Sequence, residues 1–242
     1  MVPLEEVEFQ PARSDGVVHG ILHRPGTPAI AGLIVTHGRS NDLRNPLVRR
    51  IAEASSDFAI CALRINFRYV DEKGRASRDL AREEAELRGA VRFLRTQVPD
   101  HPIFVAGKSM GARVCARASA DHDIAGVIAL GYPLHPQFRP EVRNPPEWPM
   151  LVKPALFVIG DQDPFCNLAR LHQELPRLTA PYELVIVPRA GHSFEPRGEK
   201  RDTFPEVRDA VFRWILSSID RGRKRGMSGP DLNEPLADRS QP

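Results

Sequence analysis

The sequence lacks the features of a membrane or secreted protein. No apolar run approaches the roughly 20 residues that a transmembrane helix needs, and the first residues, MVPLEE, lack the basic and then apolar layout of a signal peptide. Cysteine is scarce: Cys61, Cys115 and Cys166 are the only three, at no metal-ligand spacing. An odd number of cysteines argues against a disulfide framework and favours a reducing compartment. We therefore expect a cytoplasmic protein with no membrane partner.

Lysine is scarce as well, since only 5 of the 34 basic residues are lysines. The arginines are spread along the whole chain and are balanced by 31 acidic residues, so the formal net charge is only +3. A nucleic-acid-binding surface needs basic residues concentrated on one face. The one local cluster, Arg221 to Arg225, is more typical of a solvated helix end than of a binding arm. We therefore expect no nucleic-acid partner.

What the sequence does have is a regular alternation of short apolar runs and helical patterns. Its 242 residues, 41% hydrophobic and 27% charged, suffice for one well-buried core. Strands that alternate with helices predict an α/β fold with a mostly parallel, twisted sheet covered by helices on both faces. We predict one domain over residues 1–220. Residues 221–242 are rich in glycine, proline and charge, which predicts a disordered tail.

The hydrophobic pattern also predicts where the elements lie. Asp15-Gly16 is a strong turn signal for an antiparallel entry hairpin. The predicted strands are 7–9, 17–22, 32–36, 59–65, 103–106, 124–130, 155–159 and 183–187. The predicted helices are 46–55, 78–97 with Ser77 as N-cap, one after Ser109, 168–175, and a last one through 207–219. Seven prolines from Tyr132 to Pro154 exclude a long helix there and predict only a minimal lid.

The most informative segment is Gly107-Lys108-Ser109-Met110-Gly111, which follows an apolar run and opens a predicted helix. A serine on a sharp strand-to-helix turn needs glycine two residues to either side, because a β-carbon there collides with neighbouring backbone. Ser109 is therefore a candidate nucleophile. An ordinary glycine-containing turn explains the same five residues, so the assignment depends on partners elsewhere in the chain.

Two later strand ends supply those partners. The strand at 155–159 runs into Asp161 and Asp163, and the strand at 183–187 is followed by His192. A serine hydroxyl is a weak nucleophile unless an imidazole takes its proton and a buried carboxylate holds that imidazole in the right tautomer. Either aspartate is a candidate for that carboxylate. The loops that carry these residues hold no further well-placed ligands, so we expect no metal, and we expect no cofactor.

Five ordered motifs, in a chain order typical of one hydrolase class, make the sequence resemble a known family. The motifs are Thr36-His37-Gly38-Arg39, Arg64-Ile65-Asn66-Phe67-Arg68-Tyr69, Gly107-Lys108-Ser109-Met110-Gly111-Ala112-Arg113, Gly160-Asp161-Gln162-Asp163-Pro164-Phe165 and Gly191-His192-Ser193-Phe194. They resemble the small, lid-poor, dienelactone-hydrolase-like branch of the α/β hydrolases, which includes a testis-expressed hydrolase-like protein and a chromatin acetyltransferase complex subunit. That branch has Phe-Pro-Tyr at Phe67-Arg68-Tyr69 and glycine at Ala112, departures expected to affect the pocket rim and helix packing.

The resemblance implies an α/β-hydrolase fold and assigns roles within it. The family's acid lies in a Gly-x-x-Asp-Pro pattern, which selects Asp163 and leaves Asp161 to orient the turn. It also implies oxyanion donors at the backbone N–H groups of Met110 and Arg39. We read the Arg39 side chain as a solvated surface arginine, with contact to an anionic substrate group as the alternative. The predicted substrate pocket comprises His37, Tyr132, Phe165 and Phe194.

The function implied by the resemblance is that of a serine hydrolase. Ser109, His192 and Asp163 would cleave a carboxylic ester or related acyl compound through an acyl-enzyme. The expected partner is a small-molecule acyl substrate, and the expected state is a monomer or homodimer. The alternative is a catalytically silent interaction module with the same fold, because the resembled branch includes a complex subunit and fold alone does not imply function.

Overall fold

The computed structural model describes residues 4–11, 16–142, 147–198 and 200–227. Its eight strands are β1 (Glu5–Phe9), β2 (Val18–His23), β3 (Ala31–Thr36), β4 (Ile60–Ile65), β5 (Ile103–Lys108), β6 (Ile124–Leu130), β7 (Ala155–Gly160) and β8 (Tyr182–Val187). They form one sheet in the order β1-β2-β4-β3-β5-β6-β7-β8. Every strand that the hydrophobic pattern predicts is present, and most bounds shift by only a residue or two.

Strand direction changes only at one side of this sheet. The predicted entry hairpin pairs β1 with β2 antiparallel, and β2 is antiparallel to β4. All other pairs are parallel. Parallel strands are covered on both faces, which explains their near-continuous apolar runs. The mostly parallel sheet is confirmed, and the carboxyl ends of β3, β5, β6, β7 and β8 meet along one edge.

In the described part of the chain, six α-helices connect or flank the strands. They are α1 (Pro46–Ala54), α2 (Arg68–Asp71), α3 (Ala81–Gln97), α4 (Met110–Ala118), α5 (Leu168–Glu174) and α6 (Phe204–Met227). No sequence pattern predicts α2, because four residues are too few to show a helical period. Helix α6 continues through Met227, past the predicted domain boundary at residue 220. Residues 228–242 of the predicted tail lie outside the described residues.

Two hydrophobic cores lie on opposite faces of the sheet. Successive residues of β3 alternate between them, because strand side chains point to opposite faces: Leu33 and Val35 belong to one core and Ile34 to the other. Helices α1 and α6 cover the first core, and α3, α4 and α5 cover the second. Helices on both faces are therefore confirmed. Within the described ranges, no helix combines the length and apolar character needed to cross a membrane.

The start of α3 differs from the prediction. Helix α3 begins at Ala81, and Ser77 does not cap it. Instead, the N–H and hydroxyl of Ser77 both donate to the carboxylate of Glu83, which is fully buried. Because a buried carboxylate needs hydrogen-bond donors, it holds the segment before the helix against the first turn. The cap assignment to Ser77 is wrong for this reason.

The turn between β5 and α4 has the strained backbone that its glycines predict. Ser109 adopts φ 55° and ψ −113°, outside the regions that non-glycine residues normally populate. A β-carbon on Gly107 would lie 2.1 Å from the carbonyl carbon of Gly111, and one on Gly111 would lie 2.5 Å from Thr36 Oγ1. Only glycine lets the strand and helix approach this closely. The turn therefore presents Ser109 at the carboxyl edge of the sheet.

The connection between β6 and β7 carries no long helix in its described parts, 131–142 and 147–154. The only helical turn there is a 3-10 turn at Trp148–Met150. This agrees with the predicted minimal lid. The carboxyl edge beside Ser109 is consequently open rather than covered by a helical cap within these ranges.

Stability below neutral pH should depend on a buried histidine between β2 and β4. His23 is 5% exposed, and its Nε2 accepts a hydrogen bond from Arg64 Nε at 3.0 Å. Burial, with the Arg64 charge, lowers the pKa of His23 to about 4 from 6.5. The neutral ring favours the folded state above pH 6.5, and this contribution is lost as the pH falls towards 4.

We therefore expect the free energy of unfolding of His23→Gln to fall less than that of the native protein between pH 6.5 and 4. Urea denaturation across that range measures both slopes. His122→Gln is the control, because the His122 side chain is 91% exposed and its loss should leave the slope unchanged. Equal slopes in the native protein and His23→Gln would contradict the assignment.

The close approach at the β5–α4 turn predicts a second stability effect. Gly107→Ala places a methyl group against the backbone of Gly111, and we expect it to lower the free energy of unfolding by at least ~1–3 kcal/mol. Gly26→Ala is the matched control, because a β-carbon there meets nothing within 4 Å. Urea denaturation compares the two variants. If Gly107→Ala were as stable as Gly26→Ala, the close packing of this turn would be refuted.

Candidate active site

Ser109 and His192 meet at the carboxyl edge of the sheet. Ser109 follows β5 and precedes α4, and His192 lies in the loop after β8. The Oγ of Ser109 lies 2.9 Å from Nε2 of His192. The His192 side chain is only 14% exposed, so the contact is partly shielded from water. This distance lies within hydrogen-bond reach, as transfer of a hydroxyl proton to an imidazole requires.

The other side of the same ring contacts Asp163, in the loop after β7. His192 Nδ1 lies 2.9 Å from Asp163 Oδ1 and 2.8 Å from Oδ2, and the Asp163 side chain is fully buried. Asp163 Oδ1 also accepts a hydrogen bond from the Phe165 N–H at 2.8 Å, which fixes the carboxylate. A carboxylate only accepts, so Nδ1 carries the proton and Nε2 presents its lone pair to Ser109.

The structure separates the two candidate aspartates. Asp161 is exposed and does not contact His192; its Oδ1 accepts a hydrogen bond from the Ala190 N–H at 3.2 Å. Asp161 thereby connects the loop after β7 to the loop that carries His192. It has the turn-orienting position expected of it, and Asp163 has the position beside the imidazole.

Two backbone N–H groups border the same site. Met110 begins α4, where the helix macrodipole favours negative charge, and Arg39 lies in the loop after β3. Within the described residues, no protein acceptor engages the N–H of Met110 or of Arg39. The Tyr69 hydroxyl donates to the Arg39 carbonyl at 2.7 Å and so fixes this loop from behind. Both amides are thus available to an oxyanion.

A cavity of about 340 Å³ opens beside Ser109, and we call it the Ser109 cavity. Phe165 lines it as predicted, with its ring centroid 4.4 Å from that of His192. The complete described lining is Gly38, Arg39, Ser40, Asn41, Lys108, Ser109, Met110, Arg113, Pro133, His135, Pro136, Phe165 and His192. Among these described lining residues, three are cationic, Arg39, Lys108 and Arg113, and none carries a carboxylate.

The structure corrects the assignment of His37 to the pocket. His37 is completely buried and does not line the Ser109 cavity. Its Nε2 accepts a hydrogen bond from the Phe67 N–H at 3.1 Å, so Nδ1 carries the proton and donates to the Gly38 carbonyl at 2.8 Å. Burial lowers the pKa of His37, which favours this neutral form. Its position shapes the loop that presents Arg39.

Tyr132 and Phe194 are corrected in the same way. The Tyr132 side chain points into the core, and its hydroxyl donates to Glu147 Oε2 at 2.7 Å. Phe194 is 3% exposed and belongs to the core under α1 and α6. Neither residue lines the Ser109 cavity. Phe194 ends a motif and Tyr132 follows β6, but both side chains are buried in the hydrophobic cores.

Several residues of this lining were not predicted from the sequence, and three of them carry ionisable side chains: Lys108, Arg113 and His135. Lys108 and Arg113 lie inside the Gly107–Arg113 motif itself, so their proximity to Ser109 was the available signal. His135 had no local pattern. It is buried, and its Nε2 accepts a hydrogen bond from the Asn167 N–H at 2.8 Å, which fastens the β6–β7 connection to the start of α5.

The two departures from the resembled branch have local structural effects. The Arg68 N–H donates to Glu86 Oε2 at 3.1 Å, a bond that proline cannot form. Arg68 does not line the Ser109 cavity, so its backbone acts on α3 rather than directly on that lining. Ala112 is fully buried in α4 within the hydrophobic core, where its methyl group contributes to helix packing.

One cluster among the described residues brings potential metal ligands together. Atoms of Asp121, His122 and Asp123 lie within 4.8 Å of one another, away from the Ser109 cavity. Both carboxylates already pair with arginines: Asp121 with Arg88 at 3.1 Å and Asp123 with Arg95 at 3.0 Å. The cluster is therefore accounted for as a network of ion pairs.

Comparison with known proteins agrees with this architecture. The structure of an alpha-beta serine hydrolase homologue from Coxiella burnetii has a TM-score of 0.72 and 21% identity, covering 87% of this chain and 97% of that one. Dienelactone hydrolase from Anabaena variabilis has a TM-score of 0.70 and 21% identity, with coverage of 88% and 98%. The Pyrococcus furiosus esterase Pf2001 has a TM-score of 0.72 and 18% identity, with coverage of 90% and 93%.

At these identities the similar structures show the fold alone, which is the α/β-hydrolase fold. The family follows from the sequence itself. A family model described as an alpha/beta hydrolase domain matches residues 29–220, most of the chain. This chain therefore belongs to the alpha/beta hydrolase domain family.

Proposed function

We propose that this protein is a serine hydrolase that cleaves a carboxylic ester or a related acyl compound. The observation that carries the proposal is the line of hydrogen bonds from Ser109 Oγ through the His192 ring to Asp163. Each contact has the direction that the chemistry requires: a bare Nε2 faces the hydroxyl, and a buried carboxylate holds Nδ1–H. The Ser109 cavity supplies room for a small acyl substrate.

The proposed reaction has two halves. In the first, Ser109 Oγ attacks the substrate carbonyl as His192 Nε2 takes its proton, and the N–H groups of Met110 and Arg39 donate to the developing oxyanion. The imidazolium, stabilised by Asp163, then gives the proton to the leaving alcohol. In the second half, His192 takes a proton from water, which attacks the acyl-enzyme and restores Ser109. These groups account for both halves without a metal or organic cofactor.

Other parts of the proposal rest on the sequence. The five motifs support placement in the dienelactone-hydrolase-like branch that includes a testis-expressed protein and an acetyltransferase complex subunit. We propose a cytoplasmic location, with free, buried Cys61, Cys115 and Cys166 in support. The proposed partner is a small-molecule acyl substrate of a monomer or homodimer, without nucleic-acid or membrane binding.

The rival is an interaction module that keeps the fold without chemistry. Such a protein has no need of an unprotonated His192 Nε2 at 2.9 Å from the hydroxyl of Ser109, whose backbone is strained. It also has no need of the buried Asp163 carboxylate on the other side of the ring. Strain of this kind costs about 1–3 kcal/mol, so it persists where function requires it. These features favour the enzyme.

Labelling with a fluorophosphonate probe distinguishes a serine hydrolase from an interaction module. We expect the native protein to be labelled and Ser109→Ala and His192→Ala to be unlabelled, because the probe needs an activated serine. Hydrolysis of 4-nitrophenyl acetate should fall by a factor on the order of 10⁴ or more in Ser109→Ala, and by roughly 10³–10⁴ in Asp163→Asn. Gel fluorescence and stopped-flow absorbance measure the two effects.

Matched controls lie elsewhere in the chain. Ser56→Ala removes a half-buried hydroxyl far from the cavity lining and His172→Ala an exposed imidazole, and both should keep labelling and hydrolysis. Asp161→Asn should lose far less activity than Asp163→Asn, because Asp161 contacts Ala190 rather than the imidazole. An unlabelled native protein would favour the interaction module, and labelling that survives Ser109→Ala would refute this serine as the nucleophile.

A further inference from the structure

Lys108 is a charged residue of the Ser109 cavity to which the proposed reaction gives no role. It is the last residue of β5, directly before the nucleophile, and it is only 4% exposed. Its side chain runs beside the loop after β3, with Cδ 3.5 Å from where a β-carbon on Gly38 would stand. Lys108 lines the same cavity as Ser109 and His192. A lysine this deeply buried is unusual unless something pairs with it.

No protein group within the described residues makes a hydrogen bond or ion pair with the Lys108 ammonium. The other two cations of the cavity differ from it. Arg113 Nε and Nη2 both donate to Glu147 Oε1, so that guanidinium already has a carboxylate partner. Arg39 is exposed to solvent. Lys108 is thus a buried cation of the cavity lining whose ammonium has no acceptor among the described residues.

The charge of Lys108 persists at neutral pH. Burial lowers its pKa to about 8, while the more distant negative charges of Asp163 and Glu195 oppose that shift. The ammonium therefore remains mostly protonated at pH 7. Burying a charge without a partner is costly, and the described cavity lining offers no carboxylate to offset the cost. An anionic ligand would offset it.

We infer that Lys108 binds a carboxylate on the substrate and so selects esters that carry a negative charge close to the scissile carbonyl. This inference rests on the proposed hydrolase function for its substrate class. Lys108 and Ser109 line the same small cavity, so we place the carboxylate and the reacting carbonyl on the same short acyl chain. Each charge-assisted hydrogen bond contributes about 1.5–3 kcal/mol, which corresponds to a preference of roughly ten- to a hundred-fold.

A matched pair of substrates tests the inference. Mono-4-nitrophenyl glutarate carries a carboxylate, and its methyl ester has the same acyl chain without the charge. For the native protein, we expect the ratio of kcat/KM, anionic over neutral, to be roughly ten or more. In Lys108→Met the ratio should fall to about one, and in Lys108→Arg, which keeps the charge, the preference should largely return.

An effect of Lys108 on the rate of both esters alike leaves the ratio of their kcat/KM values unchanged. Lys153→Met is the control, since Lys153 lies just before β7, at the opposite end of the strands from the cavity; its ratio should equal the native one. If Lys108 instead assisted the oxyanion, Lys108→Met would slow both esters equally and leave the ratio unchanged. That result, or a native ratio near one, would overturn the inference.

A binding experiment separates this inference from the proposed function. In the Ser109→Ala background, isothermal titration calorimetry compares monomethyl glutarate with dimethyl glutarate, neither of which is then cleaved. We expect the monoester to bind at least about ten-fold more tightly, and this difference to vanish when Lys108→Met is added. If the native protein hydrolysed no ester but binding followed this pattern, the proposed function would be refuted and the role of Lys108 would stand. Equal binding of the two esters would refute the role of Lys108.

Discussion

The structure depends on one constraint: the His192 ring must stay between a hydroxyl and a buried carboxylate that come from different strands. The parallel arrangement of β5, β7 and β8 satisfies it, because their carboxyl ends lie along one edge of the sheet. Asp163 fixes the ring from one side, and the β5–α4 turn fixes Ser109 on the other. The two hydrophobic cores hold these strands in register. Packing far from the site therefore affects the 2.9 Å distance between Ser109 Oγ and His192 Nε2.

The loop after β3 extends the same constraint to the oxyanion donors. His37 connects the Phe67 N–H to the Gly38 carbonyl, and the Tyr69 hydroxyl holds the Arg39 carbonyl. These bonds hold the loop in place, and the Arg39 N–H has no acceptor among the described residues. Residues that support the site from behind are therefore as necessary to its geometry as those that line the cavity.

Much of this arrangement is predictable from sequence, because short apolar runs indicate the strands, a period of 3.6 residues indicates the helices, and the motifs lie in order at the strand ends. Ser109, Asp163 and His192 follow from that order together with the motifs. Side-chain direction does not follow: Phe194 ends a motif and Tyr132 follows a strand end, yet both turn into the core. The roles of Lys108 and Ser77 are not predictable from sequence either, because both depend on tertiary contacts. Lys108 is buried by the fold, and Ser77 donates hydrogen bonds to the buried Glu83 instead of capping the helix.

Trapping the covalent intermediate tests the central claim most directly. After the protein is mixed with 4-nitrophenyl butyrate and quenched in acid during the first turnovers, mass spectrometry of the digested chain locates any butyryl group. Transfer through the hydrogen-bonded line predicts one butyryl group on the peptide that contains Ser109, absent from Ser109→Ala. Turnover without any adduct on that serine, or an adduct on another residue, would contradict the account.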